Sequence, residues 1–260
     1  MILDRFLSVF SIVSRIGVKI KFNFDPSRMD FYLPLIGIFP ALLGLAALNG
    51  IFLLIHSPLI SVLTALIVQY FCFNLFHLDG LMDTADAFLG THDAEKRFLI
   101  LKDYRIGVYG FFAGIVILSL KTALLLELFP LLLERPAFLL TYPIFGRFSA
   151  ALVPCMAKPA KPSSLGSLAQ NSKSVFCIAG LFTGLVVWFL ICRGWVLFAV
   201  PDLIIPGISL AICVLNSLFY ARLYKRSLGG YTGDTLGASI ETGEILHLLI
   251  GLIFFTMLTH

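Results

Sequence analysis

Apolar stretches long enough to cross a lipid bilayer recur along nearly the whole chain, and they leave few folds open. A spanning helix needs about 20 mainly apolar residues. The stretches 32–55, 58–78, 107–130, 137–157, 175–192, 195–219 and 245–259 approach or exceed that length. Of the 260 residues, 59% are hydrophobic and 13% charged, whereas a soluble domain has about 25% charged residues. Backbone polar groups in hydrocarbon must be satisfied within their own segment, which selects helices. The pattern predicts an all-α, polytopic membrane helix bundle with about seven transmembrane helices, forming one integral membrane domain over 1–260. The fifth and seventh stretches are short, so the range is six to eight.

The first twenty residues read differently. Leu3, Phe6, Leu7, Phe10 and Val13 recur at helical spacing and predict an N-terminal amphipathic helix lying in the membrane interface. The apolar run 6–13 is short for a signal peptide and is followed by Arg15, Lys19 and Lys21. The five cysteines, Cys72, Cys155, Cys177, Cys192 and Cys213, lie in apolar stretches without metal-ligand spacing. They read as small hydrophobes.

Charge orients the bundle. Lys and Arg number five before the first stretch, four in 79–106, three in 158–174 and three in 220–244. The alternate connections hold only Arg135 and Arg193. By the positive-inside rule the long loops 79–106, 158–174 and 220–244 are expected in the cytoplasm. The net charge of +4 is too mild to suggest a nucleic-acid partner.

Three polar segments stand out on that side. In His77-Leu78-Asp79-Gly80-Leu81-Met82-Asp83-Thr84-Ala85-Asp86, three carboxylates fall at i, i+4 and i+7, one face of a helix. Like charges so close repel, and a hard divalent cation such as Mg²⁺ would turn that repulsion into ligation. Asp79, Asp83 and Asp86 are therefore candidate metal ligands; the plainer reading is a solvated helix start with favourable acids. His77 reads equally as a general base, a ligand or simple polar punctuation.

The second segment, Lys102-Asp103-Tyr104-Arg105, offers cations suited to phosphate, or a basic patch facing anionic lipid. The third runs from Gly229 to Glu244. Its glycines and threonines, among them Gly230, Thr232 and Gly233, suit a phosphate cradled by backbone N–H groups, or a turn followed by a helix cap. Asp234 and Glu241 stand at i and i+7, and Glu244 is three further on. Lys121 and Arg147 lie well inside predicted spans. An ionisable residue there costs at least ~2.5 kcal/mol, so both are expected to face inward, unless the lysine snorkels.

Taken together, His77-Leu78-Asp79-Gly80, Asp83-Thr84-Ala85-Asp86, Lys102-Asp103 with Ile106-Gly107 and Gly110, and Gly230-Tyr231-Thr232-Gly233-Asp234 through Gly237-Ala238 resemble cobalamin synthase, the membrane adenosylcobinamide-GDP ribazoletransferase family. Ser14-Arg15-Ile16 and Leu165-Gly166 are similar to further family segments. Ala87, Tyr104, Gly17 and the loop 158–166 depart from the family pattern, and none of these touches the carboxylates.

The resemblance implies a Mg²⁺-dependent transferase. A ribose hydroxyl of α-ribazole, or its 5′-phosphate, attacks the cobinamide-side phosphorus of adenosylcobinamide-GDP and GMP leaves. On this reading Asp79, Asp83 and Asp86 hold Mg²⁺, and Asp86 or His77 is the base. Asp234 or Glu241 completes the site. Lys102, Asp103, Arg105, Lys121, Arg147, Gly230, Thr232 and Gly233 bind substrate. The location implied is a cell membrane, the inner one in a Gram-negative source, with a cytoplasmic active face. Pathway enzymes or a second copy are the expected partners. A CDP-alcohol phosphotransferase is an alternative, although Ala-Arg does not follow Asp79-Gly80. An ion-coupled transporter would also suit the charges within spans.

Overall fold

The structure is a computed structural model, and it describes residues 1–134, 136–161, 165–192 and 200–259. It is an all-α bundle. Seven helices are long and apolar enough to cross a membrane: Met29–Ile55, Pro58–Gly90, Val108–Glu127, Ala137–Met156, Ser174–Ile191, Ile204–Leu228 and Gly233–Met257. These are called the first to seventh spans. Among the described residues the only β-type pairing is an isolated bridge between Pro159 and Tyr231. Arg135 and Arg193, the two cations expected on the opposite side, and positions 195–199 of the expected sixth stretch lie outside the described residues.

The fourth span is the central pillar. Its most apolar window is 94% buried, against 28% for the third, fifth and sixth spans. The first span packs on it at Gly37, where a Cβ would come within 2.6 Å of the Ile144 Cα. The seventh packs on it at Gly146, where a Cβ would sit 2.5 Å from the Glu244 Cγ. Small residues at helix crossings let backbones approach closely where lipid offers no hydrophobic drive for association.

Local chemistry closes the turns. His56 ends the first span in the left-handed region (φ 54°). Ser57 then caps the second, its side chain accepting from the Ile60 N–H with Pro58 in the first turn. Within the second span, Tyr70–Asn74 forms a π-helical turn, and the Arg15 N–H donates to the Cys72 carbonyl inside it (2.8 Å). Such widened turns re-aim side chains, and here Tyr70 and Asn74 both reach the bundle interior.

The N-terminal helix Ile2–Val13 forms as expected and lays its stripe on the bundle, while two loop expectations need correction. Phe10 packs edge-on against Phe39 and Phe73, and Leu7, Phe10 and Val13 are buried, with only Leu3 of the stripe exposed. The stretch 79–106 is not one loop, because the second span continues as helix to Gly90 and a short helix follows at Ala94–Ile100. The stretch 220–244 is likewise mostly helix. The sixth span runs to Leu228, with Lys225 and Arg226 in its last turn, where cations suit the helix dipole. The seventh begins at Gly233. Hydropathy loses these helices where they turn polar, but their opposite faces, Leu81 and Ala87 or Leu236 and Ile240, stay buried.

Candidate active site

The acidic segment and the Gly-rich segment meet at one helix crossing. A Cβ at Gly80 would lie 2.6 Å from the Asp234 carbonyl oxygen and 2.8 Å from its Cα. One turn on, a Cβ at Gly237 would lie 2.8 Å from the His77 carbonyl oxygen. This contact sets the exposed Asp79 and half-buried Asp83 beside Asp234. Asp83 feels the carboxylates of Asp79, Asp234, Asp86 and Asp103, and Asp234 feels that of Asp79.

The start of the seventh span is built by its own threonines. The Thr232 N–H donates to the Thr235 hydroxyl (2.8 Å), and the Thr235 N–H donates to the Thr232 hydroxyl (3.3 Å). This reciprocal cap fixes the first turn. Ahead of it, Gly229 takes a positive φ of 74°. Gly230 touches the Lys158 carbonyl so closely that a side chain would collide with it. The Ala160 N–H donates to the Tyr231 carbonyl (2.8 Å), tying the basic loop to the Gly-rich one. Gly229 thus serves a left-handed turn, and Gly230 serves close backbone packing.

Beside the acids lies a cleft lined by Phe76, Phe98, Lys102, Lys161, Thr232 and Asp234, among others. Lys102 is exposed, and the Lys161 ammonium sits over the Phe98 ring at 4.3 Å. Arg105 pairs with Asp103 through two side-chain nitrogens, the shortest contact being 2.6 Å. Those hydrogen bonds from Arg105 hold the Asp103 carboxyl below the usual carboxylate range.

Other expected site residues lie elsewhere. Asp86 is committed to the backbone. Its oxygens accept from the Gly107 and Gly110 N–H groups, both at 2.8 Å, capping the third span across the fold. A Cβ at Gly107 or Gly110 would strike the Asp86 carboxylate, which explains both glycines. Each Asp86 oxygen thus has one acceptor position taken by this cap, a structural task beside the metal-ligand or base role expected of it. His77 is buried and lines a separate, mainly apolar pocket.

Glu241, Lys121 and Arg147 form a buried network instead. Lys121 Nζ lies 2.7 Å from Glu241 Oε2, Glu244 Oε2 and the Tyr70 hydroxyl. The Tyr70 hydroxyl donates to Glu241 (2.6 Å). Asn74 donates to Glu244 (3.1 Å), and Arg147 donates to Asn74 (2.9 Å) and Glu244 (3.3 Å). Two cations and two carboxylates balance one another there. The inward orientation expected of Lys121 and Arg147 holds, but their contacts are to protein groups. Tyr70 and Asn74 had no sequence signal beyond polarity at the end of an apolar run.

Does this chemistry suit a divalent cation? Among the described residues, no group of three His, Cys, Asp or Glu is arranged to hold a metal unaided. Mg²⁺ does not require such a cage. It commonly takes one or two carboxylates and completes its shell with substrate phosphates and water. Asp79 and Asp83 offer hard oxygens, and the charges acting on Asp83 are all carboxylates. The donor set fits.

Comparison with known proteins identifies the family. A family model described as cobalamin-5-phosphate synthase matches residues 5–252. A Halalkalibacterium halodurans protein named adenosylcobinamide-GDP ribazoletransferase is 35% identical over 211 residues, 79% of this chain and 79% of its own. A protein of that name from Vibrio cholerae serotype O1 is 33% identical over 258 residues, 97% of this chain and 94% of its own. One from Fervidobacterium nodosum is 27% identical over 256 residues, 95% of this chain and 96% of its own. No solved structure matches the chain. The match over nearly the full length places this multi-pass membrane protein in the cobalamin-5-phosphate synthase family.

Proposed function

We propose that the acidic cleft where the second and seventh spans cross is the centre at which this chain joins adenosylcobinamide-GDP to α-ribazole, or to its 5′-phosphate, as an adenosylcobinamide-GDP ribazoletransferase. The observation that carries this is the Gly80–Asp234 crossing, which unites both acidic segments beside a cationic cleft. Neither a CDP-alcohol phosphotransferase nor an ion-coupled transporter finds support in the family match.

In the reaction, the ribose hydroxyl forms a bond to the cobinamide-side phosphorus, and the bond from that phosphorus to the bridging oxygen breaks. GMP carries away the bridging oxygen. Displacement at phosphorus depends mainly on positioning and charge neutralisation. Lys102 faces the diphosphate with its ammonium, and Thr232 and Gly233 line the same cleft. Asp234 is the carboxylate lining the cleft among the described residues, and we assign it the proton of the attacking hydroxyl, since a base must lie within hydrogen-bond reach. Asp79 and Asp83 are the residues that would hold Mg²⁺, which supplies Lewis-acid neutralisation of diphosphate charge when bound.

The cationic connections support a cytoplasmic position for this face. The test is GMP release from adenosylcobinamide-GDP plus α-ribazole by purified protein in detergent, with Mg²⁺ or with EDTA. Metal-dependent GMP with a new corrinoid product is expected. Absence of product from folded protein with either ribazole form would refute the assignment.

A further inference from the structure

Next to the acidic cleft is a second, narrow pocket lined by Ile12, Met29, Leu33, Leu236 and Ile240, among others. It shares Phe76, Leu165 and Gly233 with the acidic cleft, so a molecule can span both. Its lining is apolar with one exception. Among the described residues that form it, His77 alone has a side chain with hydrogen-bonding nitrogens. His77 is 2% exposed, and its Nδ1 is buried without a hydrogen-bond partner. A buried polar atom left unpaired costs free energy that a ligand can recover. An apolar pocket with one unsatisfied polar group is the usual form of a small-molecule site.

We infer that this pocket receives the heteroaromatic base of the nucleoside substrate, with the His77 imidazole hydrogen-bonded to the base's free ring nitrogen. The inference rests on the reaction proposed above. A planar benzimidazole matches the lining, and its second nitrogen is the single polar atom such a pocket can satisfy. The ribose then projects past Phe76 and Gly233 toward Asp234, where the hydroxyl must react. His77 is thereby a specificity residue for the base rather than the general base.

The test uses the full chain in detergent and two ribosides, α-ribazole and the α-linked indole riboside, which keeps the shape but has C–H in place of the free ring nitrogen. Equilibrium dialysis measures binding, and turnover gives KM for each substrate. Wild-type protein is expected to bind α-ribazole about tenfold more tightly than the indole analogue, roughly one hydrogen bond's worth of discrimination. His77→Leu should bind both equally, at the weaker affinity, with KM for adenosylcobinamide-GDP unchanged. Ala169→Leu, which fills the pocket from its 5%-exposed wall, should weaken both ribosides alike.

Wild-type protein that does not discriminate overturns the inference and requires no variant. So does discrimination that survives in His77→Leu, or an Ala169→Leu protein with unaltered affinities. An acyl chain as the true occupant would appear as no saturable binding of either riboside, and also overturns it. Wild-type protein that binds and discriminates but releases no GMP would instead count against the proposed reaction alone.

Discussion

Gly80 lies against the backbone of Asp234, with room for a hydrogen and nothing more. Two segments far apart in sequence thereby become one acidic surface, and a methyl group there must push the second and seventh spans apart. Gly80→Ala is expected to destabilise the protein by about 1–3 kcal/mol, as overpacking does, and to lower turnover more than tenfold. Gly50→Ala is the control, because a Cβ there meets nothing within 4 Å, and it should leave both properties intact. Thermal unfolding in detergent and GMP release are the measurements.

Asp86 serves the fold, so its loss should register first in stability. Asp86→Ala removes the acceptor for the Gly107 and Gly110 N–H groups. Losing a cap costs about 0.5–2 kcal/mol, and the expected result is a lower unfolding midpoint. Turnover, measured well below that midpoint, should fall less than in variants of Asp79 or Asp234.

The buried Lys121–Glu241–Glu244–Arg147 network makes a different kind of statement. Removing one partner strands a charge in the bundle, at about 3–5 kcal/mol. Lys121→Met and Glu241→Gln should each destabilise strongly, while the double variant should lose clearly less than the two losses added. Where it remains folded, Glu241→Gln should retain turnover, since Glu241 contacts Lys121, Tyr70 and Asn74. A cycle of thermal unfolding measurements checks the coupling.

Asp103 offers a pH signature outside the spans. Its carboxyl is held low, first by the side-chain hydrogen bonds from Arg105. A lowered folded-state pKa means that the pair's contribution is present at neutral pH and is lost as pH falls through that pKa. In Arg105→Ala the Asp103 carboxyl should titrate at a higher pH, while the backbone N–H of residue 105 still holds it partly low. Carboxyl NMR of the two proteins across the acid range reads the shift directly.

The amino-acid sequence carried the bundle plainly, because about twenty apolar residues in a row have few alternatives. It also carried the acids, since spacing at i, i+4 and i+7 is a helical face wherever the helix lies. What it did not carry was partnership. Asp86 looks identical to Asp79 in the periodic pattern, and only the approach of Gly107 and Gly110 from another helix separates them. Glu241 shares a face with Asp234 by spacing, yet two turns along the seventh span it has already sunk to the level of Lys121. Helix ends at Gly90 and Gly233 were hidden because hydropathy averages over both faces of a half-polar helix.

The account turns on Asp79 and Asp234 acting together at the crossing, and the most direct measurement is GMP release by Asp79→Asn and Asp234→Asn proteins. Both substitutions keep side-chain size, and both proteins should unfold at the wild-type temperature. Turnover at saturating substrates and Mg²⁺ is expected to fall at least a hundredfold in each, a loss of about 2.7 kcal/mol in transition-state stabilisation. Turnover within threefold of wild type in either folded variant would contradict the site.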